Sequence, residues 1–317
     1  MPPGEATHPD TMEKFEVHIL GCGSAKPTLR HQPSSQVINV REKVFMVDCG
    51  EGAQVQFCRA RQKFSRLNAI FISHLHGDHV FGLIGLLSTM ALAGRTATLH
   101  IYGHAPLQGL LQPHIDFFCR GMQYEVIFHS LPDDHDSHLI YEDRSIEVHT
   151  LPLCHRLPSC GFLFKEKPLL PHIRHDMMTY LQIPYYMVNT IKQGAGWTDA
   201  EGRTYRHEEL VTPADAPRSY AYCSDTNFQP RLADMLQGVN VLYHEATFAH
   251  DMLPRAQETC HSTARQAGEM ARLAQARRLV IGHFSSRYDD EQPLLAEAQA
   301  VFPNTLLAHE GMVIQVD

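Results

Sequence analysis

Residues 74–79 read His-Leu-His-Gly-Asp-His and follow directly on the apolar run Ala69-Ile70-Phe71-Ile72 and Ser73. Three imidazoles and a carboxylate within six residues, placed where a buried strand ends, form a metal-ligand set. In an extended loop, side chains two apart point the same way, so His74 and His76 can grip one ion. Gly77 is expected to let the backbone turn sharply, so that Asp78 and His79 emerge in another direction, toward a second ion. Imidazole and carboxylate without thiolate favour zinc, manganese or iron. A chance cluster in a chain with 22 histidines is the bland alternative, and six consecutive positions make it the weaker one.

The 317 residues, 44% hydrophobic, can bury one large core or two small ones. No run approaches the roughly 20 apolar residues needed to cross a bilayer, so no membrane partner is expected. Residues 1–13 are polar, carry three prolines and lack an apolar segment; they read as a flexible N-terminal tail ahead of one domain at 14–317. Eight scattered cysteines with no C-x-x-C pair point to a reduced, cytoplasmic protein. The net charge of −8 requires that any contact with nucleic acid concentrate basic groups locally. Arg59, Arg61, Lys63 and Arg66 form one dense basic stretch, equally readable as a solvated helix end or a phosphate contact.

Strand-length apolar runs recur at 15–20, 35–40, 43–48, 98–102, 146–152, 161–164, 219–223, 239–244, 279–282 and 305–308. Helical spacing appears at 80–93, 263–274 and 293–301. This order fits α+β, two sheets packed together with helices outside. From Lys165 to Arg218 the rhythm breaks into an excursion with Tyr185, Tyr186 and the single Trp197, which reads as an insertion into the domain. The aromatics there are expected to pack rather than to stack on bases.

Three further ligand types follow apolar runs: His155 after Leu153-Cys154, Asp225 after Tyr222-Cys223-Ser224, and His283 after Leu279-Val280-Ile281-Gly282. Loops at one edge of a sandwich converge in space, so these can complete a two-metal centre. The hexapeptide together with these residues resembles the metallo-β-lactamase fold, an αββα sandwich. Further stretches resemble the ribonuclease Z family, endonucleases that trim the 3′ trailer of precursor tRNA. They are Leu20-Gly21-Cys22-Gly23-Ser24-Ala25-Lys26-Pro27-Thr28, Val47-Asp48-Cys49-Gly50-Glu51-Gly52, His244-Glu245-Ala246-Thr247-Phe248, His261-Ser262-Thr263-Ala264 and His283-Phe284-Ser285-Ser286-Arg287-Tyr288.

That resemblance implies one zinc on His74, His76 and His155, a second on Asp78, His79 and His283, and Asp225 bridging the two. It implies attack by a metal-bridging hydroxide with Asp78 accepting the proton, leaving a tRNA 3′-hydroxyl and a 5′-phosphorylated trailer. Glu245 and His261 suit protonation of the departing oxygen as a pair. Asp48 suits an acceptor for a ligand histidine. The resemblance also implies a homodimer and a tRNA-gripping arm at about 165–218, although Ile183-Pro184-Tyr185-Tyr186-Met187 stands where a Gly-Pro segment is usual. The same scaffold serves phosphodiesterases and arylsulfatase-like hydrolases, which remain the competing reading.

Overall fold

A computed structural model describes residues 13–317. Positions 1–12 of the expected tail lie outside the described residues. Glu13 is described and pairs with Arg41.

Two seven-stranded sheets form the body. The first holds β1 (Phe15–Gly21), β2 (Ser35–Val40), β3 (Lys43–Cys49), β4 (Leu67–Phe71), β5 (Leu99–Gly103), β6 (Val126–Ser130) and, from the end of the chain, β18 (Val313–Gln315). The second holds β7 (Leu139–Glu142), β8 (Ile146–Pro152), β9 (Cys160–Glu166), β14 (Ser219–Cys223), β15 (Val241–Glu245), β16 (Arg278–Gly282) and β17 (Thr305–Leu307). Their spatial orders are β18-β1-β2-β3-β4-β5-β6 and β17-β16-β15-β14-β9-β8-β7. Pairing turns from antiparallel to parallel at β3–β4, and β14 to β17 run parallel.

Alternation along each strand sorts side chains into two layers. Phe45, Val47 and Phe71 point to the interior between the sheets, whereas Val44, Met46, Ile70 and Ile72 join the layer beneath helices Leu83–Leu92 and Pro106–Phe118. Phe71 meets Phe162 and Phe164 of the second sheet with ring centroids 5.4 and 5.5 Å apart, which locks sheet to sheet. Helix Ala264–Leu273 covers the second sheet with Ala267, Met270 and Ala271. It starts at Thr263, whose hydroxyl accepts from the Gln266 amide while the Gln266 side chain accepts from the Thr263 amide. The result is an α+β sandwich of the metallo-β-lactamase type.

Residues Lys165–Arg218 form a second compact unit. Leu181, Ile183, Ile191, Tyr205 and Leu210 give it a small core of its own, and two short hairpin-like pairs frame it, β10 (His172–Ile173) with β13 (Val211–Thr212) and β11 (Trp197–Thr198) with β12 (Thr204–Tyr205). Its two ends are tied by an ion pair, Glu166 to Arg218 at 2.8 Å. The expected packing of Tyr185 and Tyr186 is overturned: they are 82% and 78% exposed, and Tyr180 is 77% exposed. The unit's core is already filled by Met, Ile, Leu, Trp197 and Tyr205 side chains, which leaves these three rings outside it. No helix among the described residues is long and apolar enough to cross a membrane.

Candidate metal centre

Every expected metal ligand, and Glu245, sits at or just beyond the C-terminal end of a strand, whereas His261 follows the helix Leu253–Thr259. The hexapeptide follows β4, His155 follows β8, Asp225 follows β14, Glu245 ends β15 and His283 follows β16. Parallel strands deliver their ends to one edge, which is why residues over 200 positions apart meet there. Asp48, Asp225 and His283 all adopt left-handed backbone, with φ of 56°, 59° and 60°. This conformation costs a non-glycine residue free energy, and its recurrence at three strand ends aims the side chains inward.

The donors form two groups. In the first, His74 Nε2 lies 2.9 Å from His76 Nδ1, and His155 Nε2 lies 3.3 Å from that same nitrogen. In the second, Asp78, His79 and His283 bring their donor atoms within 4.8 Å of one another. Asp225 stands between the groups. Its Oδ2 lies 3.6 Å from His74 Nε2 and 3.8 Å from His155 Nε2; its Oδ1 lies 3.2 Å from His79 Nε2 and 3.1 Å from His283 Nε2.

Outer contacts fix three of the rings, those of His79, His155 and His283. Asp48 Oδ2 lies 2.7 Å from His79 Nδ1 and also accepts from the Ser73 and Tyr222 hydroxyls at 2.9 and 2.7 Å. His155 Nδ1 donates to the Cys260 carbonyl at 2.9 Å, and Thr247 Oγ1 lies 2.9 Å from His283 Nδ1. With Nδ1 engaged in each case, Nε2 is the nitrogen turned to the centre. The Nε2 atoms of His79 and His283 are buried and have no hydrogen-bond partner among the described residues. Buried imidazole nitrogens crowded against a carboxylate without hydrogen-bond geometry fit a shared cation.

Electrostatics agree for the first group; in the second, burial opposes the charged form of His79, but Asp48, Asp225 and Asp78 outweigh it and raise its pKa above the ordinary histidine range. Burial holds His74, His76 and His155 below the ordinary histidine range, in the neutral form that ligates. Burial also opposes ionisation of Asp78 and Asp225, but the surrounding imidazoles outweigh it and hold both carboxyls well below the usual range. The Ala25 amide donates to Asp78 Oδ2 at 2.7 Å and favours the same charged form. Beside this centre, Glu245 Oε1 lies 3.0 Å from His261 Nδ1 and accepts from the Thr226 amide at 2.6 Å. Burial lowers the His261 pKa, yet the charge and hydrogen bond of Glu245 raise it to about 9.

Gly77 plays a different part from the one expected. It has no positive φ and opens the short helix Gly77–Val80. A Cβ there would fall 2.3 Å from the Phe81 ring, so the glycine makes room for that ring rather than for a turn. Ser73, Thr247 and the Ala25 amide escaped sequence reasoning as individual contributors. All three lie inside or beside the quoted motifs, which was the available signal.

Residues 15–172 match the family described as anti-Pycsar protein Apyc1. Ribonuclease Z of Phocaeicola vulgatus is 56% identical over 306 residues, covering 96% of this chain and 99% of the relative. Ribonuclease Z of Bacteroides fragilis is 56% identical over 305 residues, covering 96% of this chain and 100% of the relative. The solved structure of human short-form tRNase Z superposes with a TM-score of 0.69 at 25% identity, covering 95% of this chain and 99% of that one. The metallo-β-lactamase fold protein YhfI of Bacillus subtilis, at 19% identity and a TM-score of 0.67 over 96% and 100% of the two chains, shares the fold. Full-length identity to these relatives, on the same two-sheet fold, places the chain in the ribonuclease Z family of endoribonucleases.

Proposed function

We propose that the chain removes the 3′ trailer from precursor tRNA with two zinc ions per chain, one on His74, His76 and His155, the other on Asp78, His79 and His283, with Asp225 shared. The observation that carries this reading is the division of Asp225, whose Oδ2 faces the first group and whose Oδ1 faces the second. Two such cations, when bound, acidify water and offset the charge that builds on the phosphate oxygens. The chain's own residues supply the rest. Asp78, held by the Ala25 amide, accepts a proton from the attacking water. His261 donates a proton to the departing 3′ oxygen, and Glu245 holds its Nδ1 so that Nε2 is free to do so. The products are a tRNA 3′-hydroxyl and a trailer with a 5′-phosphate. The eight free thiols suit a reducing compartment, and we place the enzyme in the cytoplasm as a homodimer.

In this reading the insertion is a substrate-gripping arm. It carries seven basic and seven acidic side chains, so net attraction for phosphate is not its means of binding. The exposed Tyr180, Tyr185 and Tyr186 offer stacking surfaces instead.

Three outcomes test this. Elemental analysis of active protein should find about two transition-metal ions per chain, and Asp225→Ala should lose metal and all hydrolysis together. One ion in fully active protein would refute the shared carboxylate.

The His261 pair sets the alkaline limit. Because its pKa is raised to about 9, His261 is protonated below that pH and loses its proton as pH rises through it, so trailer cleavage falls on that limb. Glu245→Gln removes the charge that raises it, and the fall should move to lower pH with metal content unchanged. An alkaline limb that stays in place would remove His261 as the acid.

Replacing 165–218 by a short turn should raise KM for precursor tRNA steeply while a small chromogenic phosphodiester is still cleaved, since every donor named above lies outside the insertion. Unchanged tRNA processing would sink the arm reading. Loss of precursor cleavage by the intact protein would leave the competing phosphodiesterase.

A further inference from the structure

Two side chains of the cleft are left over from this chemistry. A cavity of about 300 Å³ opens over the centre, and Phe81 and Arg156 line it together with His76, Asp78, Asp225 and His261. Phe81 is 71% exposed. Its ring lies against Gly77, at the start of the helical turn that carries Asp78 and His79, so the phenyl is held beside two ligands by the backbone. An exposed phenyl contributes nothing to folding where it meets water, and here it sits in a polar cleft. Arg156 directly follows His155, is exposed, and makes no hydrogen bond or ion pair with any described residue. Among the described residues, its guanidinium is the one Lys or Arg group that lines this cavity.

A flat apolar face and an unpaired guanidinium lining one cavity over a phosphodiester-cleaving centre match the two halves of a nucleotide. We propose that Phe81 and Arg156 hold a nucleotide flanking the scissile phosphate, the phenyl stacking on its base and the guanidinium pairing with its phosphate. The proposal rests on the RNA-cleaving reading above and makes these two residues specificity determinants for unpaired RNA at the cut. Stacking uses the π-face that every base has, so the contact tolerates any base at that position. A planar guanidinium pairs with phosphate through two parallel N–H donors, which fixes the backbone as well as attracting it.

The experiment pairs protein variants with altered substrates. Precursor tRNAs are made with a single abasic ribose on either side of the cut, and with a neutral methylphosphonate in place of a neighbouring phosphate. For the wild-type enzyme, one abasic position should lower kcat/KM about tenfold. Phe81→Leu should show a similar loss on the natural substrate and no further loss on the abasic one, whereas Phe81→Tyr, which keeps a ring, should retain the abasic penalty. Arg156→Gln should stand in the same relation to the methylphosphonate. Metal content should match wild type in all three variants, because none of these side chains is a ligand. Penalties that simply add, variant on top of altered substrate, would overturn the proposal, as would abasic substrates cleaved at the normal rate by wild type. Failure of the wild-type enzyme to cleave natural precursor tRNA would instead overturn the reading on which the proposal stands.

Discussion

The site depends on one carboxylate. Asp225 is 2% exposed, sits in left-handed backbone just past β14, and turns one oxygen to each of two histidine groups. A buried carboxylate among apolar strands is expensive unless opposite charge or hydrogen bonds compensate it. Here the Ser224 hydroxyl donates to Oδ1 at 3.0 Å and four imidazoles surround the pair of oxygens. Such a cluster adds little to folding stability by itself. It persists because the sandwich around it over-determines the positions of four strand ends.

That over-determination is visible in Asp48. It belongs to the first sheet, yet it accepts from Tyr222 of the second and lies 2.7 Å from His79 Nδ1. Its other oxygen takes the Ser73 amide at 2.8 Å, immediately before the hexapeptide. One buried carboxylate thus registers the two sheets against each other and orients the His79 ring at the same time. Sheet packing and site geometry are coupled through it, so a change at Asp48 would be felt in both.

What could be read from sequence follows from how local each signal is. Strands at 35–40, 146–152 and 219–223 were legible to the residue, because buried runs of strand length are local patterns. Strands β6 and β7 were not, since Val126–Ser130 and Leu139–Glu142 lie at sheet edges and are only partly buried. Helix Pro106–Phe118 went unseen because Pro113 stands in its middle and Gly109 interrupts its spacing. Within the site, the hexapeptide announces itself, and the three later ligands follow apolar runs. The Glu245–His261 pair was legible only through resemblance, because its 3.0 Å contact is made by tertiary structure. Phe81 and Arg156 had no signal of their own: an exposed ring and a free guanidinium are informative only once the cavity around them is known.

The shared carboxylate is tested most directly by electron paramagnetic resonance of the protein loaded with manganese(II) at two ions per chain. Two ions joined through Asp225 are magnetically coupled, and the spectrum should show that coupling, with Asp225→Asn abolishing it. A spectrum of isolated manganese at full loading of the wild-type protein would contradict a centre organised around one carboxylate.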